Sequence, residues 1–318
     1  MKTQTGLLSN DGFIIAIGSP YYDNNNGMVR VFEYKIDTDE WKLLGDELRG
    51  VNGEECGISV SLSDDGNILA VGCPCYSNSN IEPELNKNGR VKLFNFNDNE
   101  TAWDNIGEIS GVNNFDRTGF SVSLSGNGLN IAIGSIQNHH SINNDDFELN
   151  NGIVQIFNYE DLNWIQKGQN INGAANENEN GTSVSLNIDG SIVAMGEPFY
   201  SNQKGKARVY NYSAGEWGQI GKDIIGKNEG DRCGFSVSLS DNGNIVSIGS
   251  RLSGNRDNGS VRIFKNNSNT WSQIGKTIEG NDNENKGYSV SLSDNGNTLA
   301  IGAIYSPGTT YVYEYSAI

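Results

Sequence analysis

Four cysteines and two histidines are the side chains of this protein best suited to nucleophilic, redox or metal chemistry. Cys73 and Cys75 flank one proline, and Cys56 and Cys233 stand directly before glycines. A C-P-C triplet is not by itself a zinc site, because no second ligand pair lies at metal spacing. His139 and His140 are adjacent in an Asn-rich stretch, where a metal or catalytic role competes with a plain solvated loop. With so few histidines a Ser–His–Asp triad is hard to assemble. The acids Glu54, Glu55, Asp116, Glu177, Glu179, Glu229, Asp231, Asp282 and Glu284 recur at one kind of position. Two of them could serve a glycosidase, though carboxylates scattered over equivalent loops also follow from ancestry and solubility. Asp116 and Asp231 each open a D-R-x-G-F run, which reads as an Asp–Arg contact inside one loop. The aromatics Tyr21, Tyr22, Tyr76, Phe199, Tyr200 and Tyr305 also recur together. Exposed, they would stack on sugars or anchor a partner; buried, they would only pack. None of these patterns calls for a cofactor.

The elements that must hold these residues are repeats. Gly57–Gly72 reads GISVSLSDDGNILAVG, and related copies run Gly119–Gly134, Gly181–Gly196, Gly234–Gly249 and Gly287–Gly302. A truncated copy runs from Thr3 to Gly18. Fixed-period similarity means stacked supersecondary units. Period-two alternation in S-V-S-L-S marks a strand A, and Asp/Asn-Gly marks the hairpin into strand B. A third strand C follows, as in V-R-V-F-E-Y at Val29–Tyr34. Strand D is marked by Trp41, Trp103, Trp164, Trp217 and Trp271, all the tryptophans of the protein. The expected fold is an all-β, six-bladed β-propeller of four-stranded antiparallel blades. It forms one domain over residues 1–318, with blades near 3–52, 57–114, 119–176, 181–229, 234–282 and 287–318. The serines of strand A are expected to be small because blades crowd there.

Antiparallel pairing of A with B brings Cys56 near the end of strand B, so geometry allows a Cys56–Cys73 or a Cys56–Cys75 disulfide. Four free thiols in a reducing compartment is the alternative. The B–C loops are lengthened in blades 2 and 3, and insertions collect on binding faces. The sequence stops just after strand C of blade 6, so the expectation is a blade without its outer strand, the alternatives being a fourth strand from another chain or a sequence cut from something longer. The edge at Thr310–Tyr315 then invites strand addition and self-association.

A net charge of −17 without a basic stripe excludes nucleic acid, disfavours anionic membranes, and no apolar run can span one. MKTQTGLLSN has no apolar core of a signal peptide. Forty glycines against five prolines suit a protein that turns often. Asparagine richness fits turn chemistry and an AT-rich genome such as a protist's or a giant virus's.

The pieces GFSVSLS at Gly119 and Gly234, GYSVSLS at Gly287, and G-x-P at Gly18, Gly72 and Gly196 resemble FG-GAP repeats, the blades of integrin α-subunit propellers. G-x-V-R-V/I-F at Gly27 and Gly259 resembles that family's third strand. The resemblance covers essentially the whole sequence. It implies extracellular or virion-surface adhesion modules with ligand sites on the face of the B–C and D–A loops. The family's calcium loop between A and B is here only SDDGN or SDNGN, too short and too poor in acids for six oxygen ligands. The expectation is a non-catalytic recognition or structural module for a protein or glycan. Its binding candidates are Tyr22, Tyr76, His139, His140, Phe199, Tyr200 and Tyr305. The alternative is a glycan hydrolase or lyase using the loop acids.

Overall fold

The computed structural model describes residues 5–77, 87–136, 151–173, 179–254, 256–305 and 308–315. The protein divides into two compact units, Met1–Glu148 with Gln155–Lys167, and Leu149–Val154 with Gly168–Ile318. In the first unit, one sheet orders Thr5–Leu8, Ile14–Ser19, Met28–Lys35 and Glu40–Leu43, and a second orders Ser59–Leu62, Ile68–Cys73, Arg90–Asn97 and Ala102–Ser110. A third sheet begins with Thr118–Leu124 and Asn130–Ser135. In the second unit, one sheet runs from Ser183–Leu186 to Glu216–Gln219 and another from Cys233–Leu239 to Trp271–Glu279. A last sheet pairs Ser289–Leu292, Thr298–Ala303 and Thr309–Glu314. Neighbours in sequence pair antiparallel throughout these sheets, which are the blades of a six-bladed β-propeller. The last blade has three strands among the described residues.

Each serine of S-V-S-L-S has its own bond, so small size is not the whole reason for serine. In blade 2, Ser59 Oγ donates to the Gly119 carbonyl of blade 3 at 2.8 Å, and Ser61 Oγ accepts from Leu124 N–H at 2.9 Å. Ser63 Oγ donates to Asp65 at 2.6 Å and accepts from Ile68 N–H, closing its own turn. The second unit repeats the scheme with Ser183 to Gly234, Ser185 to Leu239, Ser236 to Gly287 and Ser238 to Leu292. Val60 and Leu62, alternating with these serines, are buried. One face of the strand thus supplies apolar burial and the other supplies hydrogen bonds to the next blade.

The turn acids are used inside the turn. Asp65 also accepts from Asn67 N–H at 3.0 Å, and although burial raises its pKa, bonds from Ser63 and Asn67 hold it below its ordinary value. Asn127, Asn242 and Asn295 take the same bonds without a charge.

Two glycine seats join successive blades. A Cβ on Gly72 would stand 2.0 Å from the Gly119 carbonyl oxygen, and one on Gly196 would stand 1.8 Å from that of Gly234. In blades 1 and 3 the glycine four residues after the strand D tryptophan receives the tryptophan of the next blade, Gly45 that of Trp103 and Gly168 that of Trp217. Trp103 Nε1 then donates to Leu44 O and Trp271 Nε1 to Ile220 O, each at 2.9 Å. Trp103 and Trp217 are buried, whereas Trp41 of blade 1 is 46 % exposed.

Strand C of blade 6 differs from its counterparts. Val312, opposite Ala300, is 67 % exposed, whereas Val31, Leu93 and Val209, in the same register, are at most 1 % exposed.

Gly72→Ala should therefore cost about 3 kcal/mol, since its methyl meets a backbone carbonyl that cannot step aside. Gly218→Ala meets only Asn211 Oδ1 at 3.7 Å, without a left-handed φ, and should be neutral or stabilising by about 0.4–1 kcal/mol. Denaturant melts of both variants check the contrast; equal losses would remove the seam from the account.

Candidate functional site

In the first unit the loop between strands B and C of blade 1 presents Tyr21 and Tyr22, 37 % and 40 % exposed. Tyr22 opens a left-handed turn in which Asp23, Asn24 and Asn25 have φ of 48°, 56° and 65°. Left-handed backbone is costly for residues with a Cβ, and Asp and Asn bear it best. Asn25 O accepts from Glu55 N–H and Asn26 O from Cys56 N–H, so the turn is tied to the blade 2 loop. The Arg49 guanidinium lies 5.5 Å from the Tyr22 ring centre.

Beneath the blade 2 loop lies a buried charge cluster. Glu54, 2 % exposed, pairs with Arg90 at 2.5 Å and Lys92 at 3.3 Å. Arg90 also pairs with Glu108 and lies 4.0 Å from the Tyr76 ring centre. Tyr76 thus covers a cation and is half-buried. Cys56 and Cys73 are joined in a disulfide, while Cys75 and Cys233 are free and buried. Burial and the nearby Glu55 carboxylate push the Cys75 thiol up to about 11, against the pull of Arg117. Cys56–Cys73 takes a register position filled in blade 3 by a 2.9 Å Thr118–Ser135 hydroxyl bond. Glu54, Cys56 and Cys73 also put one ligand atom each within 4.8 Å of one another. The disulfide withholds both sulfurs, and Arg90 and Lys92 already neutralise the carboxylate.

The second unit repeats the pattern with other residues. Phe199 and Tyr200 precede a left-handed turn with Ser201, Asn202 and Gln203 at φ of 50°, 55° and 61°. Both rings are half-buried, under Arg232 at 4.9 Å and Lys206 at 4.3 Å. Lys206 and Arg208 pair with Glu197, which is fully buried, and Lys206 reaches Asp223 at 3.0 Å. Burial raises the Asp223 pKa, but its bonds from Lys206 and Gln219 bring it below the ordinary value. Tyr305 is 50 % exposed.

One sequence reading of this face changes. The acid of D-R-x-G-F caps its own loop: Asp116 Oδ2 accepts from Val112 and Asn113 N–H, and Asp231 Oδ2 from Lys227 and Asn228 N–H. Arg117 and Arg232 turn instead to Phe120 and Phe199. Of the other loop acids, Glu284 is engaged by Asn281 N–H and Asp282 by Arg256. His139, His140, Glu177 and the blade 3 insertion lie outside the described residues. The half-buried pair Phe235 and Tyr288 went unremarked in the sequence. They follow the strand A glycines, where they read only as part of the repeat.

No protein-family model matches the sequence, and no curated protein does. Solved structures do. TolB from Acinetobacter baumannii superposes with a TM-score of 0.53 at 14 % identity, over 98 % of this protein and 60 % of that one. The match thus spans less than two thirds of that structure. Kuenenia stuttgartiensis hydrazine synthase gives 0.63 at 13 % identity over 98 % and 83 %. A Bacteroides uniformis protein assigned as a 6-phosphogluconolactonase gives 0.61 at 11 % identity over 98 % and 85 %. At such identities the likeness shows the β-propeller fold alone.

Closing a 17-residue separation, the disulfide should contribute about 3 kcal/mol, and Cys73→Ser should lose about that much in a denaturant melt. Alkylation in denaturant should label two cysteines before reduction and four after; four labels without reductant would show that the bond does not form.

Proposed function

We propose that this protein is a non-catalytic recognition module that binds a protein or glycan partner through its B–C and D–A loops. The observation that carries the reading is the presentation of Tyr22. It is a large, 40 % exposed aromatic on a turn of three left-handed residues tied to the next blade. Strain of this kind costs on the order of 1–3 kcal/mol per residue and persists where the surroundings over-determine it. A rigid, half-open tyrosine loses little entropy on binding, which is why such residues anchor interfaces. Several acids that an enzyme would need are held in loop caps and ion pairs instead. The FG-GAP likeness of strands A to C supports the same reading and a place at a cell or virion surface.

A partner screen on glycan and protein arrays should give a ligand whose affinity falls at least about tenfold on Tyr22→Ala, with an unchanged melting temperature. A ligand indifferent to Tyr22, Phe199, Tyr200 and Tyr305 would move function off this face.

The edge at Thr310–Tyr315 we assign to a second copy. Val312 offers apolar surface of the kind that blades 1, 2 and 4 cover, and exposed strand edges pair readily. Val312→Asp should abolish concentration-dependent association in sedimentation equilibrium; a wild type that stays monomeric at all concentrations would refute it.

A further inference from the structure

We propose that Arg251 forms a subsite for a single carboxylate on a protein partner, flanked by an apolar side chain. The proposal rests on the recognition reading above and names one chemistry for it. Arg251 stands directly after strand B of blade 5, where blades 1, 2 and 4 have Pro20, Pro74 and Pro198. Its guanidinium carbon lies 4.1 Å from the Phe235 ring centre and 5.9 Å from that of Tyr288. The two rings are tilted against each other at 5.2 Å. The cation is therefore held by aromatic faces, and no carboxylate lies within ion-pair distance among the described residues. Its Nε is buried and has no hydrogen-bond partner there. Burial, together with Arg232 nearby, lowers its pKa against the opposing pull of Tyr288, Asp257 and Tyr305.

An arginine of this kind lacks what a buried donor normally has. Its ring-facing surface is satisfied, while the donors along its edge match the two oxygens of a carboxylate. Phe235 and Tyr288 give the same ligand an apolar wall. The protein as a whole carries −17, so a polyanionic glycan would be repelled by the surrounding surface, whereas one carboxylate beside a hydrophobe is repelled far less. A free peptide C-terminus or an isolated Asp or Glu residue fits that description.

The test uses the whole protein and two probes, acetyl-Gly-Leu-Phe with a free terminal carboxylate and the same peptide as its terminal amide. Binding is followed by NMR at the arginine Nε–H signals. The carboxylate should bind at least about tenfold more tightly than the amide, with Arg251 Nε–H among the shifted signals. Arg251→Gln should erase the difference, and Arg251→Lys should keep only part of it. Equal binding of the two probes, or an unmoved Arg251 signal at about 10 mM carboxylate peptide, overturns the proposal. So does a sialylated trisaccharide that shifts Arg251 when the peptide does not, since the carboxylate would then come from a glycan. A partner lost on Tyr22→Ala but fully retained on Arg251→Gln would sink this subsite while leaving the recognition reading intact.

Discussion

The structure depends on how closely one blade's backbone can approach the next. At the seams, the glycine ending strand B lies against the carbonyl of the following blade's strand A glycine, where even a methyl group would overlap by more than an ångström. That approach lets a short serine reach across, so Ser59 and Ser61 bond the next blade's backbone directly. A longer residue at either glycine would hold the sheets apart and leave those backbone groups unpaired, at a cost of about 1–3 kcal/mol each. The G-x-S-V-S-L-S signature therefore encodes an interface between blades as much as a strand within one.

The outer end of each seam works differently. Tryptophan lies on the glycine of the preceding blade and, in Trp103 and Trp271, donates its indole N–H to that blade's backbone. Large apolar area and one directional bond are delivered together, which fixes the angle between neighbours better than area alone. In blades 2 and 4, Glu54 and Glu197 are each buried against two cations. Such clusters seldom add much net stability over apolar packing, but removing one partner strands a charge. Their effect is to hold the loop that carries the acid, or the end of strand B, in one position against strand C.

Blade number, strand order and hairpin turns were legible in the sequence because each is written five or six times in period-two patterns and Asn/Asp-Gly turns. The disulfide was legible only as a pair of options, since Cys73 and Cys75 both lie near Cys56 until the register sets Cys73 apart. The Asp116 and Asp231 contacts were misread for a related reason. Adjacent residues suggest an ion pair, but two loop N–H groups without partners present a stronger claim on the carboxylate. Left-handed turns at Tyr22 and Tyr200 were not legible, because the glycine closing each, Gly27 or Gly205, does not show that residues with side chains before it are left-handed too. Their conformation comes from bonds to the neighbouring loop.

Arg251 shows why a repeat hides its own exceptions. Reading by periodicity explains the residues that recur, and it sets aside those that do not as tolerated drift. At the end of strand B, a proline is a rigid stop that needs no partner. An arginine there places a charge that the two rings attract, together with a buried donor without an acceptor, and that donor costs free energy in the isolated protein. The prolines of blades 1, 2 and 4 show a choice at this position without that cost. In a scaffold whose seams constrain nearly every inward residue, departures that cost stability are where binding is most readily encoded.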